Sequence, residues 1–146
     1  MIEDLLQPRH LLLVIAILAP LLVPAILYLL TLQSALERCS AKSRTVAPGT
    51  VWLMLIPVFN LVWHFILVGH VSRSLRNEFN RKRTPGVEAE PGKSIGLAMC
   101  ILAPCAIAPI VGVFAAVGGL ICWILYWVKI SGYSQLLLAA SPVVGG

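Results

Sequence analysis

An amide and an imidazole inside an apolar stretch are the first residues of this sequence whose types could do chemistry. Asn60 and His64 lie four residues apart in VWLMLIPVFNLVWHFILVGHV, at positions 51–71. That spacing places both side chains on one face of an α-helix. Polar groups at membrane depth are costly, so the pair indicates either a polar pathway for a substrate or hydrogen bonds that join two helices.

Two further histidines raise the question of a cofactor. His10 and His70 stand at the edges of two apolar stretches. They could meet at matching depth as axial ligands of a haem or as part of a metal site. The sequence has no haem-attachment motif and no metal-ligand spacing, so we favour interfacial histidines and predict no metal and no cofactor.

A basic amphipathic segment follows the second apolar stretch. In HVSRSLRNEFNRKR, residues 70–83, Val71, Leu75 and Phe79 recur every four residues, which predicts a helical extension over 71–83. We expect this apolar stripe to rest at the acyl boundary of a membrane. Basic side chains on the other faces would then bind anionic lipid headgroups or a partner: Arg73, Arg76, Arg81, Lys82 and Arg83. The alternative is that these basic residues bind nothing and only fix the orientation of the helix in the membrane, as in most multi-span proteins.

Several catalytic patterns are missing from the sequence. All six acidic residues flank the apolar stretches, so no carboxylate is expected at membrane depth to couple proton movement to transport. There is no Ser-His-Asp set, phosphate-binding glycine loop or hydrolytic carboxylate pair. The four cysteines form no redox or zinc motif, and Cys39 stands alone in a predicted external loop. We predict that the protein is not an enzyme.

The composition places these residues in a bilayer. Hydrophobic side chains make up 59% of the 146 residues and charged ones 12%, whereas charged residues make up about a quarter of ordinary soluble domains. About 20 apolar residues suffice to cross a hydrocarbon core roughly 30 Å thick. We predict an all-α membrane protein with one domain over residues 1–146 and four transmembrane helices, at about 11–32, 51–71, 94–108 and 112–128.

The last two predicted helices are short. Residues 95–128 hold no acid or base apart from cysteine and tyrosine, and they are too many for one crossing, so the chain must turn back near Pro109 and Gly112. A re-entrant hairpin that never reaches the far surface is therefore an open alternative to two full crossings. Small residues between Gly112 and Gly119 predict close packing of the fourth helix on its neighbours.

Lysine and arginine positions predict the orientation. With both termini in the cytoplasm, eight of the 11 basic residues lie inside, and Arg38, Lys42 and Arg44 lie outside. We therefore predict an integral membrane protein with an N-in/C-in topology. Because topology accounts for the positive charge, we do not expect nucleic-acid binding.

Three stretches carry a family resemblance: WLMLIPVFNLVW at 52–63, SLRNEF at 74–79 and CWILYWVKISGY at 122–133. Over residues 46–138 the chain resembles small bacterial integral membrane proteins with four predicted helices. The resemblance implies a bacterial inner membrane and brings no activity with it.

These features together predict a non-enzymatic interaction or lipid-associated component with a basic cytoplasmic face. Its partners would be anionic headgroups, a second copy of the chain or another membrane protein. The alternative is a small channel, transporter or haem- or cofactor-binding protein that uses Asn60 and His64, or His10 and His70.

Overall fold

The computed structural model of the chain describes residues 7–109 and 111–140. No strand occurs among these residues, and the predicted all-α class is confirmed. The chain divides after Leu30 into two compact units; the single domain over residues 1–146 stays a prediction. The helices follow in the order α1 (Pro8–Arg38), a 3-10 helix (Pro48–Leu55), α2 (Pro57–Lys82), α3 (Lys93–Cys105) and α4 (Gly112–Ala139).

The first unit consists of the apolar part of α1. Pro8 opens the helix at a position where the missing N–H group has no helical partner to lose, and the helix continues through Pro20 and Pro24. Its large apolar side chains are mostly exposed, as Leu12 is by 67%. A soluble protein would bury such a surface, whereas lipid accepts it.

Pro57 interrupts the helix that we predicted over 51–71. The residue before a proline avoids the α conformation, and Ile56 is accordingly extended, with φ −83° and ψ 110°. The chain is a 3-10 helix up to Leu55 and becomes α-helical only from Pro57. The prediction of one continuous helix from Val51 was therefore wrong.

The predicted extension of this helix over 71–83 is confirmed almost to its end. α2 stops at Lys82, and Arg83 caps it in the left-handed region with φ 50°. The apolar stripe does not rest on lipid, however, since Val71 and Leu75 are completely buried in the protein. Phe79 is buried too, and its ring meets the ring of Tyr133 edge-on, with centroids 5.7 Å apart.

α3 ends at Cys105, three residues before its predicted end. The N–H groups of Ile107 and Ala108 bond to carbonyls three residues back, which forms turns and ends the α-helix. The chain reverses between Ala106 and Gly112, where the turn at Pro109 and Gly112 was predicted.

α4 continues to Ala139, well past the predicted end at residue 128. We had placed the end before Lys129 because a charge normally leaves the membrane. The helical spacing of buried residues nevertheless continues through Ile130, Tyr133 and Leu137. The last three turns of α4 therefore belong to the protein core.

Two helices, α1 and α4, are long and apolar enough to cross a membrane by length and composition. Only 17% of the most apolar window of α4 is buried inside the protein, so this helix is not an ordinary core helix. α3 is apolar but too short to count as a candidate span, and α2 is not among the helices that are both long and apolar enough.

Glycine 96 lets three helices approach closely. A Cβ atom at this position would lie 2.6 Å from Cγ1 of Val68 in α2 and 2.9 Å from Cε2 of Tyr126 in α4. Both neighbours are stiff, because one is β-branched and the other is a fully buried ring. Only glycine fits here without displacing a neighbouring helix.

We expect Gly96→Ala to lower the free energy of unfolding by about 1–3 kcal/mol through overpacking. The matched control is Gly69→Ala in α2, where nothing lies within 4 Å of the added carbon and helix propensity favours alanine by up to about 1 kcal/mol. Thermal unfolding in detergent should therefore shift in opposite directions for the two variants. An unchanged melting temperature for Gly96→Ala would contradict the close approach.

Candidate functional site

Three segments of the second unit meet at one end of it: residues 38–47 after α1, residues 70–93 around the end of α2, and residues 129–137 of α4. We call this region the basic end. It contains all ten lysines and arginines of residues 31–140, together with three glutamates, Glu78, Glu88 and Glu90. The contacts that assemble it are described in turn.

Glu78 lies at the centre of the basic end. Its side chain is 1% exposed, and it accepts hydrogen bonds from the backbone N–H and the hydroxyl of Ser40, at 3.0 and 2.9 Å. On the other side Arg81 donates at 2.5 Å, and the Lys82 ammonium lies 3.8 Å away. The carboxylate thus joins the loop after α1 to the last turn of α2.

A second set of hydrogen bonds holds the same loop one turn earlier on α2. The backbone N–H of Thr45 donates to the hydroxyl of Ser74 at 3.0 Å, and the Thr45 hydroxyl donates to the carbonyl of His70 at 3.0 Å. The His70 ring approaches the same hydroxyl, with Nδ1 at 2.9 Å from Oγ1. Asn77 adds a bond from its amide to the carbonyl of Ser43 at 3.2 Å.

These contacts correct the predicted topology. Arg38, Lys42 and Arg44 were expected outside the membrane, and the segment from Arg73 to Lys93 inside. Direct hydrogen bonds between the two segments place them at the same end of the second unit, so they cannot face opposite sides of a bilayer. The predicted N-in side concerns residues 1–6, which lie outside the described residues.

The surroundings of Glu78 keep it ionised. Burial alone raises the pKa of this carboxyl group. The hydrogen bonds from Arg81, from the Ser40 backbone and from the hydroxyls of Ser43 and Ser40 outweigh that effect and lower the pKa to about 2. The group is therefore a permanent anion at neutral pH.

α4 is attached to the basic end by polar contacts along its last turns. The Arg38 guanidinium donates to the hydroxyl of Ser134 at 2.6 Å, and the Lys82 ammonium donates to the carbonyl of Leu137 at 3.1 Å. Lys129 forms an ion pair with Glu88. The end of α4 is thus the third segment of the basic end, next to the loop after α1 and the end of α2.

The five predicted ligand-binding residues separate into two groups. Arg81 and Lys82 are engaged with Glu78 and hold the protein together. Arg73, Arg76 and Arg83 are exposed, and none of the ion pairs among the described residues involves them. Of the five residues, only this second group is without a direct ion pair, and Glu90 interacts electrostatically with Arg73 and Arg76.

A cavity of about 260 Å³ opens beside Arg76. The side chains of Asn80 and Thr84 also line it, as does Glu88, whose charge Lys129 balances. A guanidinium, an amide and a hydroxyl are donors that suit a phosphate oxygen. The size and chemistry of this cavity suit a lipid headgroup.

Asn60 and His64 line a different cavity, as their shared helix face predicts. It lies among α2, α3 and α4, has a volume of about 400 Å³, and is otherwise lined mainly by apolar side chains such as Met99, Leu120 and Trp123. The side-chain carbonyl of Asn60 is buried and has no hydrogen-bond partner among the described residues. The hydrogen bonds between helices that we expected from the Asn60 amide and the His64 ring stay a prediction.

The two interfacial histidines lie in different units. His10 belongs to the first unit and His70 to the second, where His70 takes part in the contact with Thr45. Among the described residues no three His, Cys, Asp or Glu side chains group as a metal site would require. The haem pairing of His10 and His70 is not tested and stays a prediction.

Cys39 does not stand in an exposed loop as predicted. It is buried, and its thiol donates to the carbonyl of Ala35 at 3.4 Å. Burial, together with the nearby charge of Glu78, raises the pKa of this thiol to about 12. A disulfide to another molecule through Cys39 is therefore disfavoured.

Sequence reasoning missed Glu78 and its serine partners, Ser40 and Ser43. Glu78 was treated as one of six flanking acids. The available signal was its spacing to Arg81 and Lys82, three and four residues ahead on one helix face. No periodic signal relates Ser40 to a residue 38 positions away.

We expect the stability that Glu78 confers to depend on pH. Its pKa in the folded state, about 2, lies below the ordinary value of 4.5, so the unfolded chain takes up the proton first. The contribution is complete above about pH 4.5 and is lost as the pH falls towards 2. Glu78→Gln should cost about 2 kcal/mol at neutral pH and flatten the pH dependence of the melting temperature in that window.

The control for this experiment is Glu37→Gln. Glu37 is exposed and accepts one hydrogen bond, from Gln33, so its melting curves should follow those of the unaltered chain. Identical pH curves for Glu78→Gln and the unaltered chain would show that this carboxylate does not organise the basic end.

Comparison with protein-family models, with curated proteins and with solved structures finds no match to this chain. The resemblance to small bacterial membrane proteins is not tested by these comparisons and stays a prediction.

Proposed function

We propose that the chain is a non-enzymatic component of a bacterial inner membrane that associates with anionic lipids through its basic end. The observation that carries the proposal is the group of three exposed arginines, Arg73, Arg76 and Arg83. None of them forms a direct ion pair within the described chain, although the Glu90 carboxylate interacts electrostatically with Arg73 and Arg76. The basic end faces the cytoplasm in this proposal, because lysine and arginine accumulate on that side of membrane proteins.

Two further features support a lipid as the ligand. Large apolar side chains away from the basic end are exposed, including Val62 and Val113 at 64% and 72%, and a bilayer is the environment that accepts them. In this proposal the cavity beside Arg76 lies at the level of the headgroup phosphates. Another membrane protein or a second copy of the chain could bind the exposed apolar faces. Nucleic acid is not proposed as a partner.

Lipid selectivity tests this proposal. With Arg73, Arg76 and Arg83 all changed to glutamine, we expect the preference for spin-labelled phosphatidylglycerol over spin-labelled phosphatidylcholine to fall roughly fivefold or more, since each cation contributes about 1 kcal/mol near an anionic surface before screening. Electron spin resonance of the reconstituted protein measures the fraction of each lipid held at the protein surface. The preference should also weaken as salt is raised.

The matched control changes the same three residues to lysine, which keeps the charge. That variant should retain most of the preference and should melt at the same temperature as the glutamine variant. A glutamine variant with undiminished selectivity would show that these arginines only mark orientation.

The cavity beside Asn60 favours a second candidate, a carrier of a small apolar ligand. A buried carbonyl without a partner costs about 1–3 kcal/mol, and a ligand with one hydroxyl would remove that cost. The remaining lining is apolar and suits a hydrocarbon chain. This candidate keeps the predicted role of Asn60 and His64 but needs no charged group inside the membrane.

Decanol and decane distinguish this candidate. Decanol should raise the melting temperature of the unaltered chain in detergent more than decane does. Asn60→Leu should abolish the difference between the two probes and raise the melting temperature without any probe, because the unpaired carbonyl is gone. Equal effects of both probes on the unaltered chain would eliminate the site.

A further inference from the structure

The charges of the second unit divide its chain in a simple way. Residues 45–72 and residues 94–128 contain no lysine, arginine, aspartate or glutamate. Each of these stretches leaves the basic end and returns to it, since residues 45, 70, 88 and 129 all make contacts there. Both stretches are therefore hairpins that open towards the same side.

The first hairpin is formed by the 3-10 helix and the first half of α2. The indole N–H of Trp63 donates to the carbonyl of Thr50 at 3.0 Å, which holds the two legs together. The chain reverses at Ile56 and Pro57. From His70 back to Pro57 the helix is about 20 Å long at 1.5 Å per residue.

The second hairpin is formed by α3 and the first part of α4. Gly119 lies against α3, because a Cβ atom there would be 3.5 Å from Cβ of Leu102. Near the reversal, a Cβ on Gly112 would lie 2.6 Å from the carbonyl oxygen of Ala106. The 13 residues of α3 again give about 20 Å of helix.

Both hairpins are too short for a full crossing. A hydrocarbon core is roughly 30 Å thick, so legs of about 20 Å stop short of the far headgroups. The charge-free leg of α4, residues 112–128, is longer at about 25 Å. The whole of α4 is long enough to cross a membrane, but from Lys129 onwards it belongs to the basic end. Exposure of apolar side chains is greatest near the two reversals, where Val58 and Ile107 are each 83% exposed. At the basic end the corresponding residues are buried, as Leu75 and Ile130 are.

At each reversal some of the backbone N–H groups are paired or absent, which lowers the cost of placing the turn in hydrocarbon. In the first hairpin Ile56 donates to Leu53, and Pro57 has no N–H group. In the second, Ile107 and Ala108 donate to carbonyls within the turn, and Pro109 again has none.

We infer that the second unit is inserted from one side only, as two re-entrant helical hairpins whose open ends lie at the headgroups that contact the basic end and whose reversals stay inside the hydrocarbon. The inference rests on the proposed function and specifies its partner as the acyl region beneath an anionic surface. It replaces the predicted crossings at 51–71, 94–108 and 112–128. The re-entrant alternative considered for residues 95–128 extends to both hairpins.

Accessibility of single cysteines tests the inference. In a chain whose four native cysteines are changed to alanine, the reporters at the basic end are Lys42→Cys and Ala89→Cys, and those at the reversals are Val58→Cys and Ile107→Cys. Each is treated with a membrane-impermeant maleimide in right-side-out and in inside-out bacterial membrane vesicles. All four positions are exposed in the protein, so each must react once detergent is added.

We expect Lys42→Cys and Ala89→Cys to react in one vesicle orientation only, and in the same one. Val58→Cys and Ile107→Cys should react in neither, with labelling at least tenfold lower than in detergent. Reaction at either reversal from the opposite side would establish a crossing and overturn the inference. So would reaction of the two basic-end cysteines from opposite sides, or reaction at the reversals from the basic side.

The unaltered chain provides a test without mutations. Its Cys105 is exposed near the second reversal, whereas Cys39 and Cys100 are buried. Peptide mapping should show Cys105 protected from an impermeant maleimide in both vesicle types and modified once detergent is added, whereas modification in either vesicle type without detergent would contradict the inference. Lipid selectivity is measured separately, so loss of headgroup preference with protected reversals would refute the proposed function and leave the insertion intact.

Discussion

The carboxylate of Glu78 joins two parts of the chain that the apolar pattern would otherwise keep apart. A buried charge is tolerated only when its hydrogen-bonding capacity is filled, and here Ser40 supplies two donors while Arg81 supplies the countercharge. Because Ser40 follows α1 and Glu78 is near the end of α2, this interaction places the start of the first hairpin beside its end. The 3-10 helix and α2 must then run out and back, and the basic end follows from that return.

The second unit has two zones with different packing. At the basic end, apolar side chains such as Leu75 and Ile130 are fully buried, as in the core of a water-soluble protein. Towards the reversals, apolar side chains are exposed, and the helices approach through small residues such as Gly119, which is the usual basis of association where the surroundings are themselves apolar. The transition between the two zones lies where the charge-free stretches, residues 45–72 and 94–128, begin and end.

Local signals in the sequence predict much of the helical content. Apolar lengths identify α1, α3 and the start of α4, and the spacing of Val71, Leu75 and Phe79 predicts the extension of α2. The proline at position 57 was also a visible signal for the break before α2, but the uninterrupted apolar run outweighed it. The end of α4 was missed because Lys129 was read as leaving a membrane, whereas it pairs with Glu88.

The arrangement of the basic end could not be predicted in the same way. The positive-inside pattern counts charges and assigns alternating sides, and it contains no information on contacts such as Thr45 with His70. For the same reason, the sequence predicts five equivalent basic residues, while the structure shows that Arg81 and Lys82 serve an internal carboxylate. Which arginines remain available depends on distances between segments and not on their order.

The charge-free character of residues 45–72 and 94–128 has a consequence for biogenesis. On the proposed placement, none of the lysine, arginine or glutamate side chains of residues 31–140 has to be transported through the hydrocarbon, and no hydrophilic loop is delivered to the far side. Carrying a single lysine or arginine to the centre of a bilayer costs about 2.5–3.5 kcal/mol even on the most favourable scale. This part of the chain can therefore enter the membrane from the compartment in which it is synthesised, driven by its apolar surface and without translocation of any polar segment.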